Sequence, residues 1–226
     1  MRGEGLDGND EPEDLGPPGR LAAQKKSPVA SERDEEIRGL WRWLASRFDA
    51  RRLVFIDESG FHLSMTRLRA RAPRGERAYG KVPRNRGKNQ TLIASITLEG
   101  GMGEALAIEG ATDAEVFEAY VEGFLAPTLE AGQVVVLDKL GAHRTQRVRE
   151  LIEARDAELV FLPSYSPDLN PIEEAFSKMK TIVRKAGARA REALNEAISE
   201  AMFAVTLEDV AGWFSHCGYE PRDQYS

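Results

Sequence analysis

Hydrophobic positions divide the chain into segments of two periods. Ile37, Leu40, Trp41, Leu44 and Phe48 recur at helical spacing and predict an amphipathic helix. It opens near Ser31, where Ser31-Glu32-Arg33-Asp34 resembles a loose capping box, and ends near Arg47. Leu53-Val54-Phe55-Ile56 is an unbroken apolar run of the kind a strand carries when both faces are covered, so it predicts a central strand that stops at Asp57. Residues 91–98 alternate as a strand, and residues 104–109 pair with it across Gly100-Gly101. Residues 114–125 place Val116, Phe117, Tyr120, Val121 and Phe124 on one helical face, with Pro127 closing the helix. Residues 134–137 form a second all-apolar strand that ends at Asp138. A helix over 145–155, a short strand over 159–162 and a proline-bounded loop follow. Then comes a helix from Asn170 that buries Ile172, Ala175, Phe176, Met179, Ile182 and Val183, and a further helix with Leu194, Ile198, Met202 and Val205. Strands gathered early and then alternating with helices predict an α/β sheet with helices on both faces.

Composition changes this picture at two places. Residues 1–24 are rich in Gly, Pro, Asp and Glu and nearly devoid of large apolar side chains, so they predict a disordered acidic tail. Six acids and two bases lie there, which accounts for four of the six net negative charges of the chain. The whole-chain charge points away from nucleic acid only because it averages unlike regions. Residues 67–88 hold nine bases, Arg67, Arg69, Arg71, Arg74, Arg77, Lys81, Arg84, Arg86 and Lys88, against the single acid Glu76. Punctuated by Pro73, Gly75, Gly80, Pro83 and Gly87, they predict a strand-turn-strand excursion with a basic surface, either a phosphate-binding face or a solvated hairpin. The organisation expected is therefore a tail (1–24), a linker with the amphipathic helix (25–50), one domain (51–219) and a C-terminal tail (220–226). With 226 residues, 42% of them hydrophobic, the chain is long enough for one buried core. The single Cys217 excludes an intrachain disulfide framework or thiolate cluster, and the three histidines lack zinc-ligand spacing. No run of eighteen apolar residues and no apolar signal core occurs, so a cytoplasmic protein without membrane contact is expected.

The candidate chemistry lies in carboxylates. One aspartate at a strand end reads as a turn residue hydrogen-bonded to nearby N–H groups. Two of them, Asp57 and Asp138, at the carboxyl ends of two central strands repel one another and lose hydration, and a divalent cation is the usual compensation. A third acid, Glu173, follows the rigid approach Pro163-Ser164-Tyr165-Ser166-Pro167. Asn170 fits a helix N-cap and Pro171 the first helical position, so Glu173 at the third position fits a capping box. The same approach would also aim a first-turn carboxylate at a chosen point.

Three strings carry a resemblance: Phe55-Ile56-Asp57-Glu58-Ser59-Gly60-Phe61, Leu137-Asp138 followed by Gly141-Ala142-His143, and Tyr165-Ser166-Pro167-Asp168-Leu169-Asn170-Pro171-Ile172-Glu173. Together they resemble the catalytic domain of DDE transposases, and more narrowly the bacterial insertion-sequence branch of the mariner superfamily. The 34 residues between Asp138 and Glu173 match the spacing associated with that group, and the resemblance runs over roughly residues 25–219. It implies a ribonuclease H-like, integrase-like fold, a mixed five-stranded sheet flanked by helices. It also implies that Asp57, Asp138 and Glu173 are catalytic and hold two Mg²⁺ ions, with Mn²⁺ as substitute, about 3.5–4 Å apart. One ion would activate the attacking oxygen and the other would stabilise the leaving 3′-oxygen, in hydrolysis at transposon ends and strand transfer to target DNA. The implied partners are double-stranded DNA, met through the nine basic residues, and a second copy of the chain in the DNA complex. The implied setting is the bacterial cytoplasm, at the nucleoid when bound to DNA.

His143 matches a histidine of the family motif and is expected to hydrogen-bond rather than ligate, because hard oxygen sites seldom recruit imidazole. Glu58, Asp168 and Glu174 are not expected at the metal, since neighbouring side chains diverge. Two features depart from the pattern. Lys139 stands where relatives commonly have Asn, and the acidic tail stands where they carry a helix-turn-helix DNA reader, so an N-terminally truncated transposase is expected. The alternative is a catalytically inactive remnant or regulator that binds DNA or a full-length transposase.

Overall fold

A computed structural model describes residues 30–67 and 71–222. The expected tail (1–24), the linker up to residue 29, Arg69 and residues 223–226 lie outside the described residues. Every element below belongs to one unit that starts at Glu32.

The helix α1 (Glu35–Ala45) starts later than expected, because Asp34 and not Ser31 is the cap: its Oδ1 accepts from the N–H groups of Glu36 and Ile37. Its buried side also differs. Trp41 and Ala45 are buried, but so is Arg38, while Ile37 and Leu40 are 46% and 62% exposed. The buried guanidinium of Arg38 pairs with Asp168, an exposed residue of the turn before α4, so the buried side of the helix does not follow the apolar stripe.

The sheet has the order β3-β2-β1-β4-β5. β1 (Leu53–Phe61) runs antiparallel to β2 (Gln90–Thr97), which runs antiparallel to β3 (Gly101–Glu109). β4 (Val134–Leu137) is parallel to β1 and to β5 (Glu158–Phe161). This is the mixed five-stranded sheet expected. β1 does not stop at Asp57, however. Its pairing with β4 ends at Phe55, but its ladder with β2 continues to Phe61, so Asp57 lies in mid-strand opposite Ala94 and just beyond the parallel section.

The two faces of β1 and β4 explain their unbroken apolar runs. Leu53, Phe55, Val134 and Val136 pack under α1, α4 (Pro171–Ala186), α5 (Arg191–Phe203) and α6 (Leu207–His216). Val54, Ile56, Val135 and Leu137 pack against α2 (Ala114–Tyr120) and α3 (Gln146–Glu153). Phe55 meets Phe214 edge-on at 5.5 Å between centroids and Tyr219 at 4.9 Å, which ties the central strand to the C-terminal helix.

Three further expectations change. Residues 71–88 contain no strand: Pro73 and Pro83 offer no N–H to a ladder, Gly75 and Gly87 turn at positive φ, and no alternating apolar positions give a strand a face to bury. Pro127 does not close a helix; α2 widens into a π turn (Val121–Leu125), and Pro127 sits within the 3-10 turn that follows (Ala126–Thr128). Val205 lies past the end of α5, and α6 is a separate helix opened by a capping box between Thr206 and Asp209. Beyond it, Glu220 and Arg222 hydrogen-bond to Ala50, Asp49 and Arg47.

Candidate active site

Because Asp57 stands two residues from Phe55, it points to the α4 side of the sheet, while Glu58 points to the α2 side. Asp138 follows the last residue of the neighbouring parallel strand. Glu173 comes from the first turn of α4. All three line one cleft of about 410 Å³ just beyond the point where the parallel pairing of β1 and β4 ends, walled by Ser164, Tyr165, Ser166 and Asn170. The structure thus brings together the three acids singled out in the sequence.

Each acid has its own partner. Asp57 is 8% exposed and accepts from Asn170 Nδ2 at 2.8 Å and from the Glu58 N–H at 2.7 Å. Burial pushes its carboxyl up to about 7, and the Glu173 and Asp138 charges add to the rise. Asp138 accepts from the Leu140 N–H at 3.0 Å and lies 2.6 Å from His143 Nδ1. His143 is fully buried against the ring of Phe117, 4.1 Å between centroids, and its Nε2 lies 3.3 Å from Glu58 Oε1. Burial alone would lower its pKa, but the two carboxylates outweigh that and push it up to about 9, so it is an imidazolium at neutral pH. Burial also raises Glu173, against the opposing charge of Lys180 two helical turns along α4.

Several of these residues escape sequence reasoning. Asn170 occupies the N-cap position of α4 yet makes no side-chain cap; its amide turns to Asp57 instead, and Glu173 makes no capping-box bond. Lys180 was findable, since a seven-residue spacing from Glu173 places it on the same helix face. Tyr165 has φ of 55° and is exposed at the cleft, a conformation with no signal in its sequence. Lys139 is exposed and lines the cleft, because β4 ends before it.

The donors suit a hard cation. Three carboxylates share the cleft, and Asn170 Oδ1 is buried there without a hydrogen-bond partner. Among the described residues no three His, Cys, Asp or Glu side chains converge into a ready-made metal cluster. The acids face one another across the cleft and repel.

Of the nine basic residues, Arg69 lies outside the described residues and the other eight are exposed. Lys88 is 2.5 Å from Glu109, which also pairs with Arg191. The excursion leaves the end of β1 and is closed at its base, where the Leu63 N–H donates to Arg86 O. Arg189 fastens it to the α4–α5 turn by donating to Leu63 O and Met65 O.

Comparison with known proteins adds relatives. Over 195 residues, 80% of this chain and 69% of the relative, it is 29% identical to the transposase of the transposable element Tcb2 of Caenorhabditis briggsae. Among solved structures it is similar to the Mos1 transposase paired-end complex with left transposon end, at 20% identity and a TM-score of 0.70 over 88% of this chain and 64% of that one. It is also similar to the catalytic domain of Mos1 mariner transposase, at 16% identity and a TM-score of 0.60 over 86% of this chain and 92% of that one. These likenesses show a ribonuclease H-like fold, and the chain spans 64% of the longer Mos1 chain. Residues 52–195, which contain the acidic cleft and the basic excursion, match the DDE superfamily endonuclease family, and the chain belongs to it.

Proposed function

We propose that this chain is the catalytic domain of a DNA transposase that hydrolyses phosphodiester bonds at transposon ends and joins the freed 3′ ends to target DNA. The observation that carries the proposal is the convergence of Asp57, Asp138 and Glu173 from two strands and a helix on one cleft, with Asp57 buried among like charges. Asp57, Asp138 and Glu173 would hold two Mg²⁺ or Mn²⁺ ions, which when bound supply Lewis-acid polarisation of a phosphoryl oxygen and a more acidic water. The protein's own part is to place these ligands. Asn170 fixes Asp57, His143 fixes Asp138, and α4 delivers Glu173. Arg67, Arg71, Arg74, Arg77, Lys81, Arg84 and Arg86 hold positive charge on the segment that leaves β1, where it attracts DNA phosphates. The 34-residue spacing from Asp138 to Glu173 supports the insertion-sequence branch. Action as a pair of chains on paired transposon ends follows the relatives captured as paired-end complexes.

The test is incubation of the purified chain with Mn²⁺ and pre-cleaved or nicked transposon-end DNA, beside Asp57→Ala. Strand-transfer products from the wild type alone are expected. Equal products from both proteins, or none from either, refute the catalytic role of the cleft.

A further inference from the structure

The turn that launches α4 is gripped from outside the sheet. Residues Pro167–Leu169 make one 3-10 turn, Asn170 follows in extended conformation, and Glu173 sits in the first turn of α4. Arg38 of α1, fully buried, donates from Nη1 and Nη2 to the two oxygens of Asp168 at 3.0 and 2.6 Å. A planar guanidinium paired in this two-pronged way fixes both distance and orientation. Tyr219, just past α6, donates its hydroxyl to Leu169 O at 2.6 Å and accepts from Trp41 Nε1 at 3.0 Å, both bonds buried. Helix α1 therefore holds two consecutive residues of the turn, one directly and one through Tyr219. The next residue is Asn170, whose amide reaches Asp57. Arg38, Trp41 and Tyr219 all lie outside the residues that match the family.

We propose that α1 and Tyr219 form a clasp that sets Asn170 and Glu173 against Asp57, so that Arg38, Trp41 and Tyr219 are positioning residues for the acidic cleft. The proposal rests on the two-ion reading of that cleft. Asp57 and Asp138 are placed by the sheet, but Glu173 is placed by a helix whose start depends on this turn. Ligands must be held to about 0.5 Å to bind well, so a turn freed from the clasp costs affinity without dismantling the sheet.

The test uses the full chain and two readouts: the Mn²⁺ dissociation constant from the electron spin resonance of free Mn²⁺, and amide hydrogen exchange across residues 168–174. Arg38→Met and Tyr219→Phe should each weaken Mn²⁺ binding about tenfold and speed exchange in this segment. Arg38→Lys, which restores the charge without the fork, should recover part of the affinity. Ile152→Ala, buried on the opposite face of the sheet, should lower Tm and leave both readouts unchanged. Mn²⁺ affinity and exchange at wild-type levels in Arg38→Met and Tyr219→Phe overturn the clasp. Should Arg38→Met fail to fold, Tyr219→Phe, which removes one oxygen atom, decides alone. Asp57→Asn separates the two ideas. If wild type binds no more Mn²⁺ than this variant, the two-ion reading fails, and exchange across 168–174 still decides the clasp.

Discussion

Replacing Asp57 by Asn should stabilise the cation-free domain at neutral and alkaline pH while removing its affinity for divalent cations. Asp57 is buried, faces Glu173 and Asp138, and has its carboxyl pushed up by burial from 3.8 to about 7. Between those two values the native protein keeps a proton that the unfolded chain has lost. Native stability therefore falls as pH rises through this window, by about 1.4 kcal/mol per pH unit and up to about 4 kcal/mol above pH 7. Asn is neutral at every pH; its one oxygen keeps the Glu58 N–H bond, and its NH₂ group, standing where Oδ2 accepted from Asn170 Nδ2, donates to Asn170 Oδ1 once that amide turns over. The gain from Asp57→Asn should be near zero at pH 4 and reach about 2–4 kcal/mol at pH 8, the lower figure allowing for relaxation and water entry around the charge. Urea unfolding of both proteins in chelator at pH 4, 6 and 8 measures it. Adding Mn²⁺ should offset this gain, since a ligand at a thousandfold excess over its Kd stabilises the wild type by about 4.1 kcal/mol. A difference that does not change with pH, or a variant less stable at pH 8, refutes the reasoning.

The remaining predictions concern the partners of the cleft and the surface. His143→Gln should weaken Mn²⁺ binding about 10- to 100-fold, measured by titration, because Asp138 loses a charged hydrogen-bond donor. Arg84→Gln with Arg86→Gln should reduce the slope of log K against log salt for duplex DNA by about 2, whereas Lys88→Gln should change it by less than 1, Lys88 being paired with Glu109. Asp209, held at about 2 by Lys178 and the Thr206 N–H and hydroxyl, contributes stability that is present above about pH 4 and lost as pH falls through 2. Asp209→Asn should therefore cost about 0.5–1 kcal/mol at pH 7 and nothing at pH 2 by urea unfolding, a small value because the pair is solvent-screened.

The centre of the sheet was legible in the sequence for a physical reason. Residues 53–56 and 134–137 are covered on both faces, and only unbroken apolar runs satisfy that. The second half of β1 was not legible, because Asp57, Glu58 and Ser59 are held in the strand by a ladder to residues 92–94, a partner that local polarity does not report. In α1 the apolar stripe misled for a similar reason. Arg38 is buried beside Trp41 and Ala45 while Ile37 and Leu40 are exposed, and its partner Asp168 lies 130 positions away. Basic residues 71–88 look like a hairpin by their turn residues, yet with no apolar face and with prolines at 73 and 83 they remain an excursion without strands.

At the site, two acids were marked by the ends of apolar runs and the third by its proline-bounded approach, but the way they are balanced was not. An asparagine that caps a helix and one that reaches into a cleft have the same local signature; only Asp57, 113 positions away, distinguishes them. The balance itself is unequal. Asp138 meets the imidazolium of His143 and Glu173 feels Lys180, so each has a cation of the protein's own nearby. The hydrogen-bond donors to Asp57 are a neutral side-chain amide and a backbone N–H; the His143 charge also lowers its carboxyl, and burial outweighs all three. An added divalent charge therefore gains most at Asp57, the carboxylate the fold itself leaves least compensated. For the same reason Asp57→Asn relaxes the cation-free fold and removes a ligand of the proposed chemistry.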